Sequence, residues 1–431
     1  MKIQFQKLKN SLLLFLPLLF MFAFLGCDKM DVKETYTLKI PIYKKLGEVR
    51  KMDIVMSSPQ QVQNAGKIYL YKDHLFINEP NIGIHIYDNS NPASPKSLGL
   101  LPIIGNFDLG IQNDLLYADN IVDLLTFDIS NLSKPVLVDR QKDVFAIKYK
   151  FGEVERYQLQ DSDLIPVSYR DSLVSSEFKD KYNPGDKEPE LVYEDGYGPS
   201  YNSGSGASQI GQAGSMARFA ISSNVLYAIF MNKVKNFDLN NPRSPKLMNE
   251  VDLGFGIETL FPYKKSLFVG ASNGMHILDI TNPYQPKHMT TYAHVVACDP
   301  VVVNDSYAFV TLRTGNTCGG VQNILEVVDI TNLNSPKQVK MYPMQNPHGL
   351  SLAGDYLYVS EGEFGLKSFK VNDVNAIDKN MVQHLDKIKS TDIITGPKSL
   401  IVMGNETICQ FDYSNKANLK QLSCITIGKS K

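Results

Sequence analysis

The chain of 431 residues has little of what marks a catalyst, a metalloprotein or a nucleic-acid binder. Its formal net charge is −1 and its pI about 6.7, so it lacks the basic face needed to displace counterions from a phosphate backbone. Its cysteines are few, and none forms a Cys-x-x-Cys pair of the zinc or redox kind. There is no phosphate-binding Gly-x-x-x-x-Gly-Lys-Ser/Thr loop and no His-Glu-x-x-His helix. One Gly-x-Ser-x-Gly match exists, Gly270-Ala271-Ser272-Asn273-Gly274, but it joins two predicted strands. A nucleophile elbow needs a strand-to-helix turn, so this copy reads as a hairpin. Long helical periodicity is largely missing beyond the first 26 residues. His74, His85, His276, His288, His294 and His384 show no recurrence that would gather them at one site.

What is present starts with a processing signal. Lys2, Lys7 and Lys9 precede an uncharged apolar run from Leu12 to Phe24, and Leu25-Gly26-Cys27 follows. The run is short for a membrane span and ends at a small residue. It resembles the lipobox of bacterial lipoproteins, although Phe24 stands where a Leu is usual. That resemblance implies cleavage after residue 26, acylation of Cys27 and a lipid anchor in a membrane, with the outer membrane or cell surface as the expected setting. Residues 27–60 then form a tether, with a strand expected from Tyr36 to Ile42.

The rest of the chain repeats a phrase: an apolar β-rich run ending in Asp, a polar turn, then Pro ahead of the next strand. It occurs at Ile84 to Pro92, Leu124 to Asn131, Val234 to Pro242, Met275 to Pro283 and Leu325 to Asn332, with degenerate copies at Leu366 to Val371 and Thr407 to Asp412. The phrase ends at 88, 128, 238, 279, 329, 370 (a Lys) and 412, so most intervals are 40 to 42 residues. A second run, such as Leu226-Tyr227-Ala228, precedes each phrase by about ten residues. Four short strands per unit and seven units predict an all-β, seven-bladed β-propeller over 61–430, which leaves no long exposed sheet edge. The Asp and Asn of the turns are assigned to local backbone hydrogen bonds rather than to calcium, because the spacing lacks the alternating ligands of a calcium loop.

The phrases Met275-His276-Ile277-Leu278-Asp279-Ile280-Thr281-Asn282-Pro283 and Leu325-Glu326-Val327-Val328-Asp329-Ile330-Thr331-Asn332 resemble the LVIVD repeat of bacterial exported and surface proteins. The resemblance implies a propeller fold and a cell-envelope setting, and no established activity.

The interval of 110 residues holds an irregular insertion near 146–215, which passes from charged and Tyr-bearing to Gly/Ser-rich. Such loops either carry function or only connect. Tyr157, Tyr169, Tyr193, Tyr197 and Tyr201 offer rings for a partner. With strands lettered A to D outward from the axis, D–A and B–C connections emerge on one face, and the insertion is placed there. Cys298 and Cys318 should meet on that face as one disulfide, and Cys409 and Cys424 should pair across the last C–D turn.

Aligning the units places Asp108, Arg218, Glu258, Asp299, His348 and Asp392 at the start of six of the seven A strands, with Gly66 beside Lys67 in the first. Charges at such positions suggest a ring facing a water-filled channel mouth. The ring admits three readings. Its charges pair with one another; its carboxylates hold a divalent cation, with His348 admitting a transition metal; or Arg218 clamps an organic anion. The expected function is therefore a lipid-anchored envelope module, more plausibly non-enzymatic, that binds a protein or glycan partner through the loop-rich face. The alternative is a metal-assisted hydrolase or lyase at the channel mouth.

Overall fold

The computed structural model describes residues 35–145, 150–151, 154–155, 159–175, 212–213, 217–254, 256–293, 300–315 and 322–428. The expected signal peptide and Cys27 lie outside the described residues, as do Cys298, Asp299, Cys318 and most of the insertion. Contacts divide the chain into a unit of 43–168 with 193–431, and a smaller one of Met1–Ile42 with Tyr169–Val192. The strand expected near Tyr36 is present as Thr35–Lys45. Its partner is Leu164–Ser175 from the insertion, rather than the outside of a blade.

Among the described residues of the larger unit, seven antiparallel sheets each contain four consecutive strands. They are blades 1 to 7, at 68–102, 109–141, 219–252, 257–293, 301–343, 350–385 and 392–426. The sequence period therefore reads the architecture directly. Inner strands such as Leu115–Asn120 and Gly83–Asp88 are almost wholly buried, whereas the outer Lys246–Asp252 is almost wholly exposed. Blades stack face to face, so strands A to C bury both faces and read as continuous apolar runs. Only strand D meets water. The core accordingly lies between blades: one cluster joins Phe76 and Ile86 of blade 1 to Leu116 and Phe127 of blade 2, and another joins Tyr227 and Val234 to Leu267 and Leu278.

The repeated Asp does what its turn chemistry dictates. Asp88, Asp128, Asp238, Asp279, Asp329 and Asp412 each accept the backbone N–H two residues on, at 2.7–3.0 Å. In blade 6, where Lys370 ends the phrase, Asp373 takes over and accepts from Asn375 N. The residue after the Asp then donates its own N–H to the A–B corner of the same blade: Ile129 to Asp114 O, Leu239 to Asn224 O, Ile280 to Lys265 O and Ile330 to Ser306 O, all at 2.9 Å. Each C–D corner is thus tied to its A–B corner.

A second periodic device is invisible in the phrase itself. In every blade the C–D register shifts by one residue just before the last residue of the phrase, Asp in six blades and Lys370 in blade 6. The extra strand-D residues are Leu98, Val138, Met248, Met289, Val339, Val382 and Leu422, all apolar. A bulge of this kind bends the strand and increases its twist, as a blade requires.

Neighbouring blades are also pinned by strand-B tyrosines. Tyr117, Tyr227 and Tyr358 each donate a hydroxyl hydrogen bond to the C–D corner of the next blade, at Pro242 O, Pro283 O and Lys416 O. The ring closes without sharing a strand, because Lys420–Thr426 already forms strand D of blade 7. Closure uses a reciprocal amide pair instead, between Asn89 and Gln410, together with Ser423 Oγ donating to Pro92 O at 2.6 Å.

Cys409 and Cys424 are cross-strand partners and their sulfurs are joined at 2.06 Å, closing a loop of 15 residues in the last blade. A loop of that length is worth about 3 kcal/mol in the chain-entropy account. Replacing both cysteines by serine should lower the urea unfolding free energy by about that amount. An unchanged midpoint would show that the bond does not constrain the unfolded chain.

Candidate functional site

Strand A starts on the D–A and B–C face (the upper face) and ends at the A–B and C–D corners (the lower face). Four of the six residues expected in a ring are brought into one electrostatic cluster at the upper end of the axis: Asp108, Arg218, Glu258 and Asp392 all act on the Lys67 ammonium. Lys67 was visible beside Gly66, and shifting the alignment by one residue would have put a charge in the first blade too. Burial pushes the Lys67 ammonium down to about 8, partly offset by Asp108 and Asp392. Asp299 lies outside the described residues. His348 is not drawn to the carboxylates: burial pushes it down to about 3, and its charged neighbour is Arg313. Its Nε2 instead lies against the B–C corner at Gly362, where an added Cβ would come within 3.0 Å.

The cluster is not a solvated entrance. Lys67, Asp108 and Asp392 are 7%, 2% and 0% exposed. Asp108 spends its carboxylate on backbone, accepting from Leu109 N at 2.7 Å, Phe219 N at 3.0 Å and Arg218 N. It thereby stitches the start of strand A in blade 2 to that in blade 3. Asp119, at the upper end of strand B, was not anticipated. Its Oδ1 accepts from Asn106 Nδ2, Phe107 N and Asp108 N at 2.7–3.0 Å. Among the described residues, no three His, Cys, Asp or Glu side chains converge as a metal would require.

Blade 1 gains a short strand on its axial edge. Gln212–Ala213, at the end of the insertion, pairs antiparallel with strand A of blade 1, Ile68–Tyr71, in the register Gln212 to Leu70 and Ala213 to Tyr69. The other edge of that strand carries strand B, so the added pair lies on the axial side. Gln212 Nε2 also reaches across to Thr395 O in blade 7, at 3.2 Å, and Ala213 packs with the core shared by blades 1 and 2. The insertion was expected to stay on the upper face. Its last described residues before blade 3 instead run inside the ring, where unpaired inner-strand backbone offers hydrogen bonds.

The start of the insertion is fixed separately. Arg50, 7% exposed, donates to both oxygens of the buried Asp123, at 2.9 and 2.6 Å, to Asp143 at 2.7 Å and to Asp161 at 2.6 Å. Arg140 adds a contact to Asp123 at 3.0 Å. Burial opposes the charge on Arg50, but the three carboxylates outweigh it and its pKa is raised. This clamp joins the segment after the first strand and the base of the insertion to the B–C corner of blade 2.

On the lower face a cavity of about 560 Å³ opens among the A–B corners of blades 4 to 7 and the C–D corner of blade 7. Tyr263, Asn304, Leu352, Lys398, Tyr413 and Lys416 are among its lining residues. Thr395, whose carbonyl Gln212 holds, is another. Nothing in the sequence flagged this place, because its residues come from turns of four units that no single repeat records.

Burial raises the half-buried Asp119 to about 7, well above an unfolded aspartate. The folded state therefore holds a proton that the unfolded chain releases, so this contribution to stability is present at low pH and is lost as pH rises from about 4 to 7. An amide oxygen accepts the same three hydrogen bonds that Oδ1 accepts. Asp119→Asn should accordingly fold and should remove that fall in urea midpoint between about pH 4 and 7. An unchanged pH slope in the variant would show that Asp119 titrates normally.

Comparison with known proteins agrees with this architecture. The family model described as the LVIVD repeat matches residues 111–143 and 265–294, in blades 2 and 4. No curated protein matches the sequence. Among solved structures, a protein from Lactobacillus plantarum is similar at 13% identity and a TM-score of 0.52, over 85% of this chain and 97% of that one. The computationally designed protein Ika8 is similar at 9% identity and a TM-score of 0.48, over 86% and 90%. Hsv2p from Kluyveromyces lactis gives 10% identity and 0.46, over 86% and 98%. At these identities the likeness bears on the fold alone. The chain carries two matched LVIVD repeats on a seven-bladed β-propeller.

Proposed function

We propose that this chain is a lipid-anchored protein of the cell envelope, held through Cys27, and that its propeller is a non-catalytic binding module for a protein or glycan partner. The observation that carries the reading is the lower-face cavity, built from repeat corners and lined by tyrosine, lysine and amide side chains that bind without an evident reacting group. The upper-face charges support it from the other side, since backbone and opposite charges consume them. A metal-assisted reaction at that mouth has no converging ligand set among the described residues to support it. Partner binding on this reading belongs to the lower face rather than to the loop-rich upper face.

Photo-crosslinking in the native cell tests this. A photoreactive residue at Ser414, an exposed residue of the cavity lining, should give a discrete adduct, and one at the exposed B–C corner residue Met231 should not. Adducts from position 231 alone, or from neither position, would overturn the assignment.

A further inference from the structure

We infer that the lower-face cavity is a site for a saccharide unit bearing a carboxylate. This rests on the binding-module reading and adds the ligand's chemistry. A volume of about 560 Å³ lies within the usual span of small-ligand sites. Gln212, on the axial edge of blade 1, donates to the carbonyl of the lining residue Thr395 and so fixes that part of the wall.

The lining divides into an apolar part and a polar part. Val303, Leu352 and Ala353 supply aliphatic surface, and Tyr263 and Tyr413 supply rings. Both rings are held in place. The Tyr413 hydroxyl donates to Gly396 O at 2.5 Å and its ring meets Tyr358 edge-on at 6.4 Å. The Tyr263 hydroxyl donates to Asp305 at 2.6 Å and its ring stacks on Phe261. Immobile tyrosines offer amphipathic contact area with little entropy left to lose, which suits the C–H faces of a sugar ring.

The charge is what narrows the class. Lys398 is committed to Asp73 at 2.8 Å and to Ser90 O at 3.1 Å, and Lys264 beside Tyr263 is committed to Asp305. Asp412 is held by Ser414 N. Lys416 is different: it is half-buried, lines the cavity, and makes no ion pair or side-chain hydrogen bond among the described residues. A partly desolvated ammonium with three donors and no acceptor calls for an anion. Asn304 uses its oxygen for Ser306 N and Tyr307 N, which leaves its amide donors for hydroxyl groups. A phosphate site would be built from an arginine fork or converging backbone N–H groups, and no arginine lines this cavity. One compact ammonium beside amide and hydroxyl groups fits a monoanionic polyol better.

Calorimetric titration of the full-length protein in detergent tests this with glucuronate and galacturonate against glucose and galactose. The acidic sugars should bind at least about tenfold more tightly than their neutral counterparts, the usual worth of a hydrogen bond to a charged group. Lys416→Met, which keeps the aliphatic stem, should reduce them to the neutral level, and Lys246→Met on the exposed outer strand of blade 3 should change nothing. Equal binding of acidic and neutral sugars, no heat at millimolar concentration, an unaffected Lys416→Met, or inorganic phosphate competing as well as a uronate would each overturn the inference. If crosslinks form at position 414 while no uronate binds, only the ligand class falls and the binding-module reading stands.

Discussion

The structure depends on one repeated corner. In six blades the residue after the C–D phrase donates its backbone N–H to the A–B corner of the same blade, as Val371 does to Asp355 O at 2.8 Å. In blade 7 the Tyr413 hydroxyl reaches the A–B corner at Gly396 O instead. The Asp two residues ahead of the accepted N–H shapes the turn, and the strand-B tyrosines of three blades reach the next corner. These contacts fix the lower-face corners within and between blades. The cavity there is made of the same corners, so the motif that builds the fold also frames the candidate site.

The upper face follows a different logic. Charged side chains at the starts of inner strands would be expensive if left alone in a packed interior. Here opposite charges offset one another. Asp108 accepts from the backbone of the next blade, and Lys67 sits among Asp108, Asp392 and Glu258. Removing one member would strand the others, and that is a reason for such a cluster without any ligand. The axial strand pair completes the picture. Strand A of blade 1 has backbone groups facing the axis, and the end of the insertion supplies part of their hydrogen bonding.

Much of this was legible in the sequence for physical reasons. The period of about 40 residues, the apolar phrases and the Asp-to-Pro turns encode local geometry, and they predict the seven blades that the structure has. Cys409 and Cys424 stand nearly symmetrically about a predicted turn, and they meet. Alignment of the units names Asp108, Arg218, Glu258 and Asp392, the charges that surround Lys67, whereas His348 lies against the corner glycine Gly362. What could not be read was everything set by sequence-distant backbone. Two residues, Gln212 and Ala213, carry no signature of a strand, and their pairing exists only once strand A of blade 1 is in place. The strand-D bulge was equally hidden, since a single extra Val, Leu or Met looks like ordinary alternation until the register of the partner strand is known.

The end of the insertion adds an inner strand to blade 1, so the chain itself pairs part of the axial edge of the ring. Amide hydrogen exchange followed by mass spectrometry addresses it most directly. Gln212 and Ala213 should be protected to a degree comparable with Ile68–Tyr71, the strand they pair with. Exchange at the rate of an unstructured loop, with the inner strand still protected, would contradict the account.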